Sequence, residues 1–75
     1  MNLTHEQEKL ALEIASTLND MSGLSSHRKY VQLYSEEILR KILAKTMAVE
    51  DKAVYKSRGA IFTKILQNYV AHPWD

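Results

Sequence analysis

No cysteine occurs in the sequence. That excludes a disulfide framework, thiol catalysis and a thiolate metal site. It also agrees with a reducing compartment, so the expected location is the cytoplasm. Proline occurs once and glycine twice, and with these two breakers so scarce little interrupts a helix. No run alternates apolar and polar residues as a half-buried strand would, and none is long and apolar enough to cross a bilayer. The start, Met1-Asn2-Leu3-Thr4-His5-Glu6, lacks the basic residues and apolar run of a signal peptide. His5, His27 and His72 lie far apart in sequence. They read as incidental rather than as ligands, because zinc sites draw on clustered residues. No cofactor and no metal is expected.

What is present fits one all-α domain over residues 1–75, a small bundle of three long helices plus a short one. At 75 residues the chain has room for a single core. A domain of this size buries only about 60% of its unfolded surface. Tight helix packing and association are the remaining sources of stability, so a protein partner or a homo-oligomer is expected.

The first helix begins at Thr4, which has capping-box spacing to Gln7, with Glu6 and Glu8 at the positive helix end. Leu10, Ile14, Leu18 and Met21 recur on one face, and Leu12 falls on the other side. Gly23 is the expected left-handed cap at the exit. Ser25 or Ser26 then caps a short helix over 27–34, with Tyr30, Val31, Leu33 and Tyr34 on its apolar side. Ser35 caps the third helix, which has Glu36 and Glu37 in its first turn, carries Ile38, Leu39, Ile42, Leu43 and Met47, and ends near Ala48 or Val49. A polar connection over 50–57 contains Val54 and Tyr55 and has room for one helical turn. Ser57 caps the last helix, from Arg58 to about Ala71, whose buried face is Ile61, Phe62, Ile65, Leu66 and Tyr69. Gly59 near its start lowers helix propensity and lets another backbone approach. His72-Pro73 ends that helix. Trp74 follows, either folded back on the core or offered to a partner.

Catalytic patterns are missing. Glu36-Glu37 and Glu50-Asp51 are sequence neighbours, which diverge on a helix instead of converging on a substrate. Neither a nucleophile elbow, a P-loop nor a dinucleotide fingerprint occurs. The chain is therefore expected to be a binding module without a small-molecule substrate.

Charge is unevenly distributed. Residues 1–26 hold one base and four acids, and residues 27–75 hold nine bases and five acids. Between 38 and 68 the bases are Arg40, Lys41, Lys45, Lys52, Lys56, Arg58 and Lys64, against Glu50 and Asp51. Lys56, Ser57 and Arg58, with the free amides of the last helix, form the best local phosphate candidate. The plainer account is a solvated face that keeps a small protein soluble.

The stretch 35–70, centred on Lys56-Ser57-Arg58-Gly59-Ala60-Ile61-Phe62-Thr63, resembles a helical segment near the C-terminus of some plasmid and phage replication proteins. In that segment a leucine-rich helix is followed by a basic connection, then K-S-R-G-A-x-F and a final apolar helix. The resemblance covers about half the chain and implies a mobile-element, DNA-handling context; it assigns no catalytic residue. Two expectations follow, a nucleic-acid-associated module acting through the basic residues, or a protein-interaction module or small inhibitor acting through Leu12 and Trp74. Salt separates them, because phosphate contacts release counterions and weaken steeply as salt rises. Reversing Lys56 and Arg58 to Glu is expected to leave the fold intact and weaken nucleic-acid binding at least about tenfold.

Overall fold

The computed structural model describes residues 3–54 and 56–72. The fold is all-α, as expected: α1 spans His5–Thr17, α2 Leu24–Leu33, α3 Glu36–Met47 and α4 Arg58–Ala71, with 3-10 turns at Met21–Gly23 and Asp51–Ala53. α2 is the short one of the four, at 10 residues. No strand occurs among the described residues, and no helix there is long and apolar enough to cross a membrane.

Local chemistry accounts for three helix starts. Thr4 Oγ1 accepts from the Gln7 amide at 3.0 Å while Gln7 Oε1 accepts from the Thr4 amide at 2.9 Å, closing the capping box. Ser35 and Ser57 each accept from the amide three residues on, those of Ile38 and Ala60. At the other end of α4, His72 is the C-cap; Tyr55, Pro73 and Trp74 lie outside the described residues.

The segment between α1 and α2 departs from the expectation. Asn19, at φ 54°, takes the left-handed conformation, which asparagine tolerates. Gly23, at φ −95°, is instead the N-cap of α2. The 3-10 turn runs straight into that helix, so α2 starts at Leu24 instead of near His27. Met21 accordingly leaves the helical register of α1 and is exposed. Leu33 and Met47, both expected on apolar faces, are exposed as well.

α1 packs chiefly on α2, and α3 on α4. The core joins Leu10, Ala11, Ile14 and Leu18 of α1 and its end to Val31 of α2, Leu39, Ile42 and Leu43 of α3, and Phe62 and Leu66 of α4. Ala11 and Ala15 are fully buried, which widens the α1 stripe beyond its large residues. Tyr30 and Phe62 pack in the same cluster with ring centroids 6.2 Å apart.

Charges on α1 match bases that lie later in the chain. Glu8 takes Arg28 through two bonds of 2.8 and 3.0 Å. Glu13 takes Arg40 through two bonds of 2.8 and 3.1 Å, and Arg40 also reaches Glu36 at 2.7 Å. The Arg40 hydrogen bonds hold the Glu13 carboxyl below its ordinary value. The stability this depressed group contributes is present above the ordinary carboxylate range and is lost as pH falls through the lowered value. It is small, since both side chains are nearly half exposed and solvent screens them.

The core predicts a sharp contrast in urea unfolding. Leu39→Ala or Ile42→Ala, each at a fully buried position, is expected to cost about 2–5 kcal/mol. Leu33→Ala, at a position 70% exposed, should stay within about 0.5 kcal/mol. Equal losses would show that the helix faces are misassigned.

Candidate functional site

The basic residues singled out by sequence do not form one cluster. Arg40 is committed to Glu13 and Glu36 between α1 and α3. Lys41 lies 3.6 Å from Glu37, one turn back on α3, and Lys45, in the last turn of α3, is likewise engaged. Lys52 pairs with Glu50 at 3.4 Å, with both side chains largely in solvent. Leu12 is partly exposed on α1, 39%.

Arg58 has a different job from the one expected. Its Nη1 donates to the Thr46 carbonyl at 2.9 Å and its Nη2 to Asp51 Oδ1 at 2.5 Å. The guanidinium thus lies against the end of α3, where a cation suits the negative helix terminus. Thr46 is itself fully buried and donates its hydroxyl to the Ile42 carbonyl at 2.8 Å. Arg58 therefore ties the end of α3 to the start of α4, and its side chain is only 16% exposed. Reversal of its charge would break that tie, so Arg58→Glu is expected to cost stability as well as a positive charge.

Ser57 is also occupied, by the Ala60 amide at 3.1 Å. What remains along α4 is Lys56, just before it, and Lys64, in its middle, both exposed and without an ion pair among the described residues. They line one groove of about 340 Å³ with Ala53, Ser57, Ala60 and Ile61. A second, shallow groove of about 580 Å³ shares Ala60 and Lys64 and runs between α2 and α4, past Ser26, Thr63 and Gln67. Together they make α4 the ridge of a surface rich in hydroxyl, amide and ammonium donors.

The floor of the second groove was not singled out by sequence. Asp20 Oδ2 accepts from Nε2 of His27 at 2.9 Å. His27 is 1% exposed and lies edge-on to Phe62, centroids 5.4 Å apart. Its Nδ1 is buried with no partner among the described residues.

Asp20 also explains both glycines. A Cβ on Gly23 would sit 2.5 Å from Asp20 Oδ2, and one on Gly59 2.5 Å from Asp20 Cγ. The close approach at Gly59 is thus by a side chain, whereas sequence suggested a backbone. Gly23 caps α2 and Gly59 lies in the first turn of α4, and neither helix has an acid in its own first turn. α1 and α3 do, with Glu6, Glu8, Glu36 and Glu37. One carboxylate therefore supplies the negative charge that two helix starts lack. The only sequence signal was the Asp20-x-x-Gly23 spacing before an apolar-periodic stretch, which also fits an ordinary turn.

Compared with protein-family models, curated proteins and solved structures, the chain matches none.

The Asp20 contact predicts a change of sign. Gly59→Ala should gain about 1 kcal/mol of helix propensity. It should also push Asp20 off His27 and leave a buried donor unpaired, costing about 1–3 kcal/mol. The expected result in thermal unfolding is a net loss of stability. In an Asp20→Ala background the same substitution should become neutral or stabilising. Equal effects in both backgrounds would show that the carboxylate does not set the requirement for glycine.

Proposed function

We propose that the chain is a small, non-catalytic helical binding module that contacts nucleic acid along the α4 ridge. The observation that carries this reading is the placement of Lys56 and Lys64. They share one groove and lack ion pairs among the described residues, whereas Arg28, Arg40 and Arg58 are each held by a carboxylate. Ammonium groups at such a ridge attract phosphate without reading sequence. Ser26, Thr63 and Gln67 in the adjoining groove offer hydrogen bonds to sugar or base.

Asp20 lies close to the first turn of α4 and meets part of its positive field internally. The lysine side chains, more than the helix end, therefore provide the attraction. Lys52 precedes Ala53 of that groove in sequence, and its exposed pair with Glu50 is weak enough to be exchanged for phosphate. The resemblance of residues 35–70 to a segment of replication proteins supports a mobile-element setting.

A protein partner is the second reading, favoured by the large apolar side chains left exposed at Leu12, Met21, Leu33, Met47 and Val70. A complex recovered from lysate that survives nuclease treatment favours it over nucleic acid.

Fluorescence anisotropy with labelled duplex and single-stranded oligonucleotides tests the first reading. Affinity should fall steeply with salt. At about 100 mM salt the Lys56→Glu/Lys64→Glu variant should bind at least about tenfold more weakly, the effect expected when two charges near phosphate are reversed. Both positions are exposed, so the helical circular dichroism spectrum should not change. No binding at low salt by the unaltered chain would end the nucleic-acid reading; undiminished binding by the variant would move the contact away from α4.

A further inference from the structure

A separate cleft lies where the end of α2 meets the starts of α1 and α3. It has a volume of about 390 Å³ and shares no lining residue with the two grooves beside α4. Leu10 and Val31 are buried at its floor, Tyr34 is half-buried, and Leu33 stands 70% exposed at its edge. Leu33 is the most exposed large apolar side chain among the described residues. Exposing it has a hydrophobic cost that packing within this chain does not relieve.

The rim carries two acids, Glu6 and Glu36, with Lys9 and Arg40 on their far side. Glu6 has no ion pair among the described residues, and the Glu36 side chain is 60% exposed even while it holds Arg40. The end of α2 adds to this. The Val31 carbonyl receives Gln7 Nε2 at 3.3 Å, but those of Gln32 and Leu33 accept no hydrogen bond among the described residues. No basic residue stands in the last turn of α2 to offset its negative terminus. The cleft therefore combines an open apolar edge with two carboxylates and two free carbonyls.

We propose that this cleft docks a lysine- or arginine-bearing apolar segment of a partner protein. An apolar side chain of the partner would lie on Leu33 and Tyr34, and its cation would meet Glu6, Glu36 and the open carbonyls. Charge complementarity selects this occupant: phosphates are repelled by the rim, an acidic segment likewise, and an uncharged one leaves the carboxylates without a partner. The inference goes beyond the protein-partner reading by giving that partner a place and a chemistry, and it does not depend on nucleic-acid contact at α4.

The test is a nuclear magnetic resonance titration of the full chain with a short amphipathic peptide of leucine and lysine, alongside its leucine–glutamate counterpart. Amide shifts should concentrate at Glu6, Leu10, Leu33, Tyr34 and Glu36 with the lysine peptide alone. Leu33→Ser and, separately, Glu6→Gln/Glu36→Gln should each weaken binding by about tenfold, a loss of about 1.4 kcal/mol. Neither change touches a buried residue, and an unchanged helical circular dichroism spectrum would confirm that the fold is retained. The Lys56→Glu/Lys64→Glu variant should bind the peptide as the unaltered chain does. Shifts centred elsewhere, equal binding of the glutamate peptide, or no effect of neutralising Glu6 and Glu36 would overturn the proposal. Self-association of the free chain through these residues would also overturn it, by assigning the cleft to a second copy.

Discussion

Three helix ends meet at the carboxylate of Asp20, and much of the arrangement follows from how that group is accommodated. α1 has just ended, α2 begins three residues later at a glycine cap, and α4 begins with a glycine in its first turn. A carboxylate held this close to protein needs a donor, and His27 provides one from a buried ring packed against Phe62. It also needs room, which only residues without a Cβ leave on the two sides. In return its charge sits at the positive ends of two helices that have no acid of their own there. The chain's two glycines, its one fully buried histidine and a turn aspartate are thus parts of one junction, though they are spread over 40 positions (20 to 59).

The charge pattern is tertiary in the same sense. Along the chain it looks like an acidic start followed by a basic remainder. In three dimensions Glu8 and Glu13 of α1 face Arg28 of α2 and Arg40 of α3, so the early acids neutralise the later bases. Arg58 is withdrawn to the end of α3. The positive surface that remains is smaller than composition suggests and is made of lysines, whose flexible stems and compact charges suit non-specific contact more than bidentate recognition. Acidic and basic surfaces are left at different places, the rim beside Leu33 and the ridge of α4.

Sequence by itself determined the helical class, three of the four helix starts and most of the core. These features are legible because they are local. A capping serine or threonine and its target amide are three residues apart, and a buried stripe repeats every three or four residues. Only the tertiary structure decided the rest. Gly23 and Gly59 serve the space around Asp20 instead of a left-handed turn or a backbone contact. His27 is a buried donor rather than an incidental residue, and Arg58 is a tie between helices rather than an exposed phosphate ligand. The physical reason is common to all of them: steric room, hydrogen-bond partnership and ion pairing are set by atoms that meet across 7 to 39 positions of sequence, and no local pattern records which side chain will arrive.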